Sequence, residues 1–215
     1  MKMTKRKEIK MINFNQQHID VLKEVGNIGA GNAATALSTL LNKKIHMRIP
    51  AIKIVEFNEL MEYVGGPEEE IVSVFLRIQG SLPGSMFFVL KPSQAQILAN
   101  QLLPETEEDI RDNEMALSAI AEIGNILSGS YLSALSEFTL IPMFPSVPSL
   151  TIDMAGAILM QGLIEISKES DYAIVIDTMI EDERNSHHSI KGHFFLLPDP
   201  ASFRTIFDAL GVDDE

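Results

Sequence analysis

The sequence predicts an internally duplicated α/β (α+β) fold: a mainly antiparallel sheet layered with long helices, its two halves related by a pseudo-twofold axis. Three observations predict it. The segment around Ser118 repeats the segment around Asp20 at an offset of 98, with Ser118 falling on Asp20, Glu122 on Glu24, Gly124 on Gly26, Asn125 on Asn27 and Pro148 on Pro50. A second match, at an offset of 108, lays residues 192–196 on 84–88 and Pro200 on Pro92. Each half also sets a long amphipathic helical pattern before apolar runs such as 71–79, which are too continuous for a sheet with a wet face.

The first helical pattern lies in 20–50. Asp20, Glu24, Asn27 and Gly31 are spaced four, three and four and share one face, whereas Leu22, Val25, Ala33, Ala36, Leu37, Leu40 and Leu41 take the apolar rhythm and are expected in the core. Gly26, Gly29 and Gly31 each cost about 1 kcal/mol relative to alanine inside a helix. They imply either close packing on a second helix or a bare surface that lets a partner approach Asn27. Residues 29–34, Gly-Ala-Gly-Asn-Ala-Ala, fit a loose dinucleotide-binding fingerprint, but that motif needs a strand just before it and the preceding HIDVLKEV is helical.

A strand is expected over 52–57, then a short irregular or helical piece, then a hairpin of 71–79 and 84–90 joined by the turn 80–83, then a helix ending at Leu102. The acidic stretch 104–113 reads as a connector, with Asp112 or Asn113 as cap of the second long helix. The second half repeats the order, with a strand at 151–153 and hairpin strands at 172–179 and 190–197. The two offsets differ by ten, and those extra residues are expected near 181–189. The expected organisation is thus one compact domain made of a first repeat, 14–103, the connector 104–113 and a second repeat, 114–212.

The chain has 215 residues, 46% of them apolar, enough for a sizeable core. A net charge of −13 speaks against nucleic acid and against anionic membrane surfaces as partners. Without cysteine there is no disulfide or thiolate metal site. The basic start lacks the apolar run of a signal peptide, and no stretch reaches the roughly 20 apolar residues of a membrane span. A cytoplasmic location is the expectation.

The polar set Asp20, Glu24, Asn27, Pro50, repeated as Ser118, Glu122, Asn125, Pro148, is the candidate site. One copy alone reads as solvated helix residues and a turn proline; two intact copies favour a shared function. With this four-position pattern present twice, the sequence resembles the CheC/CheX/FliY family of chemotaxis phosphatases, and within it the CheC type. The resemblance spans about 20–210 and implies a CheC-like fold that hydrolyses the aspartyl phosphate of the response regulator CheY. It implies no cofactor of the chain's own, the Mg2+ being supplied by the regulator.

In that role Asn27 and Asn125 would hold the attacking water in line, and Glu24 and Glu122 would dock the regulator's active-site lysine. Asp20 and Ser118 would contact the partner or cap local backbone. Pro50 and Pro148 read as structural, fixing the entry of the strand beside the helix.

The apolar stretch 151–160, with a lone Asp153, reads as core with an exposed acid or as a docking helix for the deamidase CheD, the second reading being favoured by the resemblance. His187, His188 and His193 read as solvated loop residues with no fixed acid nearby, and no metal site is expected. The eleven methionines read as core filling. The competing class is a non-catalytic adaptor that binds CheD or the flagellar switch. A monomer is expected, because fusing the halves already supplies their pairing.

Overall fold

The computed structural model describes residues 15–103, 108–166, 172–183 and 189–211. In chain order the first half carries α1 (Gln16–Leu41), β1 (Ile45–Arg48), β2 (Ile52–Glu56), a 3-10 turn Phe57–Glu59, α2 (Leu60–Val64), β3 (Glu70–Gly80), β4 (Gly84–Leu90) and α3 (Pro92–Leu102). The second carries α4 (Glu114–Thr139), β5 (Met143–Pro145), β6 (Ser149–Met154), α5 (Ala155–Ile166), β7 (Tyr172–Asp182), β8 (Ile190–Pro198) and α6 (Pro200–Ala209). The expected alternation of long helix, strand, hairpin and helix is present in both.

The eight strands form one antiparallel sheet in the order β1-β7-β8-β4-β3-β5, with β2 also on β7 and β6 also on β3. That order reads the same from either end once each first-half strand is exchanged for its second-half counterpart. It is the pseudo-twofold symmetry, with the axis between β4 and β8. It also shows that the halves exchange strands: β1 and β2 pair only with second-half β7, while β5 and β6 pair only with first-half β3.

The central strands are apolar on both faces because both are covered. Val72, Val74, Met86, Phe88, Ile174, Ile176 and Phe194 face a core under α1, α3, α4 and α6, and Ile71, Phe87, Val89, Val175 and Phe195 face a smaller core under α2 and α5. Strict alternation along each strand delivers residues to the two cores in turn. Residues such as Phe88 and Phe194, stacked at 4.7 Å, lie wholly inside.

Several boundaries differ from the expectation. The strand at 52–57 ends at Glu56, where Phe57 begins the 3-10 turn. Two strands were not expected, β1 and β5, of four and three residues. Asn113, not Asp112, caps α4, its Oδ1 accepting the Ala116 N–H at 2.9 Å. Of the connector, 104–107 lie outside the described residues; Ile110 is buried, and its N–H donates to Gln96 Oε1 at 2.9 Å. Ile78 pairs with Gly84, six positions on, and Thr178 with Gly192, fourteen positions on, so eight of the ten extra residues fall in the second hairpin. The segment 151–160 is not one helix, since residues up to Met154 are strand β6 and helix α5 starts at Ala155.

Candidate functional site

The site is built on α1 and α4. Asn15 starts α1: its Oδ1 accepts the N–H groups of Gln17 and His18 at 3.0 and 3.3 Å, and His18 Nδ1 accepts the Asn15 N–H in return. His18 is buried edge-on against Phe207, which anchors this end of the helix to α6. Along α1 the buried stripe is Leu22, Val25, Gly26, Gly29, Ala30, Ala33, Leu37 and Leu41; Leu40, expected in the core, is 44% exposed. The counterpart stripe on α4 includes Ile120, Ile123, Gly124, Leu127, Tyr131 and Leu135.

The glycines divide by what a side chain there would meet. A Cβ on Gly26 would lie 2.8 Å from Ile49 Cδ1 and 3.1 Å from Ile52 Cδ1, and one on the equivalent Gly124 would lie 2.7–2.9 Å from the Val74 side chain. A Cβ on Gly29 would come within 3.0 Å of the Tyr131 Cα, so this glycine lets α1 and α4 touch. Gly31 and its counterpart Gly129 meet nothing within 4 Å among the described residues. Of the two reasons the sequence left open, packing on a second helix accounts for Gly29 alone; Gly26 and Gly124 pack on side chains of the sheet side instead, and neither kind of packing reaches Gly31 or Gly129 among the described residues.

On the opposite side of α1, Asp20, Glu24, Asn27 and Gly31 are all exposed. On α4, Ser118 and Glu122 are exposed, whereas Asn125 and Gly129 are half-buried. Among the described residues no side-chain hydrogen bond or ion pair engages Glu24, Asn27, Glu122 or Asn125. Asp20 accepts a bond from Gln16 Nε2 at 2.8 Å. Each half therefore displays an unoccupied carboxylate and an unoccupied carboxamide one helical turn apart, with side-chain roots about 5–6 Å from each other. Such a pair can grip a cation with the acid and orient a water or a hydroxyl with the amide.

The prolines stand at matching breaks on the two sheet edges. Pro50 lies between β1 and β2, where Ala51 O accepts the Asp177 N–H at 2.9 Å; Pro148 lies between β5 and β6. A residue without an N–H fits where an edge ladder is interrupted. Ile49 and Ile52, on either side of Pro50, are the residues on which Gly26 rests. Asp153 is exposed on edge strand β6, where it pairs with Ile71 and its Oδ1 accepts the Met154 N–H at 2.7 Å.

One reading is corrected. His193 is not a loop residue: it sits on β8, half-buried between Val89 and Asp177, with Nδ1 2.8 Å from Asp177 Oδ1. The expected strand 190–197 already contained residue 193; what sequence could not show is the long-range pairing with β7 that sets Asp177 beside it. With Tyr63, Val64, Ile71, Gln94 and Lys191 it lines a cavity of about 260 Å³ on the face opposite α1 and α4. His187 and His188 lie outside the described residues. No group of three potential metal ligands occurs among the described residues.

Comparison with known proteins follows these features closely. A model of the CheC-like family matches 18–54 and 115–152, the two stretches that hold the polar set. The chain is 44% identical to the CheY-P phosphatase CheC of Bacillus subtilis over 93% of its own length and 96% of that protein. It is 29% identical to the flagellar motor switch phosphatase FliY of the same organism, over 58% of this chain and 32% of the relative. Thermotoga maritima FliY has the same fold, with a TM-score of 0.74 at 22% identity over 93% of this chain and 98% of that one. The FliM middle domain from Helicobacter pylori also shares it, with a TM-score of 0.61 at 15% identity over 91% and 99%. Among the described residues no helix is long and apolar enough to cross a membrane. With both copies of the motif inside the matched stretches and a relative this similar from end to end, the chain belongs to the CheC-like family.

Proposed function

We propose that this protein is a phosphatase that hydrolyses the aspartyl phosphate of a CheY-type response regulator, with one site on α1 and one on α4. The observation that carries the reading is the pair of sets with unengaged side chains, Glu24–Asn27, both exposed, and Glu122–Asn125, with Glu122 exposed and Asn125 half-buried. The CheY-P phosphatase that the chain matches at 44% identity supports the substrate class.

An acyl phosphate is hydrolysed by in-line attack of water on phosphorus. The new P–O bond forms as the bond to the aspartyl oxygen breaks, releasing inorganic phosphate and returning the regulator's carboxylate. The regulator would supply the Mg2+ and the lysine that neutralise the phosphoryl oxygens, and this chain would bring no cofactor of its own. It supplies position. The carboxamide of Asn27 or Asn125 holds the water opposite the leaving oxygen. The carboxylate of Glu24 or Glu122 pairs with the regulator's lysine and fixes the register of docking.

Asp20 and Ser118, a turn further back, border the contact. Neither needs a fixed charge, since one is an acid and the other an alcohol. Pro50 and Pro148 act through the backbone that they shape. The same reading gives Asp153, at the end of β6 beside α5, to a CheD contact on the other side of the molecule, and expects a monomer.

The test is loss of label from phosphorylated regulator with increasing amounts of this protein. The expected result is a rate that climbs with protein added and saturates with regulator. A purely adapting protein, whether it held CheD or the flagellar switch, would leave the regulator's own rate of dephosphorylation unchanged.

A further inference from the structure

Gly31 and Gly129 are equivalent positions, each one turn beyond the asparagine of its own helix, and each is a glycine in the middle of a long helix. The other glycines of α1 and α4 explain themselves by contact. Gly26, Gly29 and Gly124 lie where a Cβ would strike Ile49, Tyr131 or Val74 at 3.0 Å or less. Gly31 and Gly129 have open space instead. An alanine at either would touch nothing among the described residues and would favour the helix. Among the described residues nothing excludes a side chain there.

We infer that Gly31 and Gly129 are the points where the docked partner's main chain lies directly against the helix, so that the missing Cβ sets how near the phosphoryl group comes to Asn27 and Asn125. The inference rests on the proposed function for the partner's identity and deepens it by adding a specificity-determining position to each site. It is a steric role. The Gly31 carbonyl is already engaged by Thr35 Oγ1 at 3.0 Å as well as lying within the helix ladder, so the partner gains closeness there and not a hydrogen bond. Beside Gly31 the exposed face continues with Asn32 and Thr35, both short, which keeps the approach low for a further turn. Gly129 is more enclosed, being half-buried like Asn125 next to it, so the second site admits a narrower contact.

The test uses the whole protein carrying Gly31→Ala with Gly129→Ala, and then Gly31→Leu with Gly129→Leu. Two quantities are read: binding of the regulator activated with beryllofluoride, a stable mimic of the phosphoaspartate, and phosphate release from the phosphorylated regulator. Both variants should melt at or above the parent's temperature. The alanine pair should raise the half-saturating regulator concentration several-fold and the leucine pair by about tenfold or more, and the maximal rate should fall as well, because the phosphoryl group is held farther from Asn27 and Asn125. A leucine pair that binds and turns over the regulator at the parent's half-saturation overturns the inference. If the parent binds the activated regulator without speeding phosphate loss, and the leucine pair loses that binding, the close approach stands and the hydrolase reading falls. If the parent does not bind the regulator, both fall.

Discussion

Gly29 and Tyr131 meet where the two long helices touch, and Tyr131 illustrates how a single residue ties the symmetric halves together. Its ring packs edge-on to Phe194 at 4.8 Å, and its hydroxyl lies 3.4 Å from Thr178 Oγ1 across the core. Burial pushes the phenol from its ordinary 10.0 up to about 12, against a smaller downward pull from Thr178. The folded state thus prefers the neutral phenol more than the unfolded chain does. That contribution is complete below pH 10 and is lost as the pH rises toward 12. The loss amounts to about 3 kcal/mol. Tyr131→Phe should remove this part of the alkaline decline, seen as a shallower fall of unfolding free energy between pH 10 and 12. An unchanged slope would show that the phenol is not held neutral by burial. The shared face of the candidate site residues was legible in sequence because helical spacing alone places Glu24 with Asn27 and Glu122 with Asn125. The sorting of the glycines was not. Gly29 and Gly31 are two positions apart in the same small-residue run, and only the location of α4 tells which of them is covered.

At the scale of elements, the two long helices end differently although they are copies. Asn42 closes α1 in the left-handed conformation, with φ 49 and ψ 40, which asparagine tolerates through its short polar side chain. Leu140 closes α4 at the equivalent place with φ 57 and ψ 24, and it is 88% exposed. A leucine there carries backbone strain of about 1 kcal/mol and recovers almost nothing by burial. Leu140→Asn should therefore stabilise the protein by about 0.5–1 kcal/mol, read as a higher urea midpoint at constant m-value; a lower midpoint would mean that the leucine side chain packs in solution. The short strands β1 and β5 escaped sequence reading for a physical reason. Ile-His-Met-Arg and Met-Phe-Pro are too brief to establish a period, and their pairing comes from long-range partners, β7 and the end of β3. The hairpin strands were legible because both faces of each are buried, which leaves an unbroken apolar run.

For the whole molecule, strand exchange is the organising fact. A repeat offset says which residues are equivalent; it does not say which copy pairs with which, and this part of the topology was not legible in sequence. In the structure, β1 and β2 lean on β7, with Lys44 and Glu183 joined at 2.6 Å and Arg48 and Glu181 at 2.6 Å across the seam. Residues 15–103 alone would keep only the β3–β4 hairpin of the sheet, which is marginal in water. That fragment should show no cooperative unfolding transition by circular dichroism, and a cooperative transition from a monomeric fragment would contradict the exchanged sheet. The same exchange fixes α1 and α4 on one face of a single sheet, which is how both candidate sites come to be presented at once. The central claim is that those sites act on a phosphorylated regulator through their asparagines. Its most direct measurement is the rate of phosphate release from phosphorylated regulator with the parent, Asn27→Ala, Asn125→Ala and the double variant, each folded by circular dichroism. Each single variant should retain the activity of the other site, and the double variant should lose about 10²–10³ in stimulated rate. A double variant as active as the parent would contradict the account.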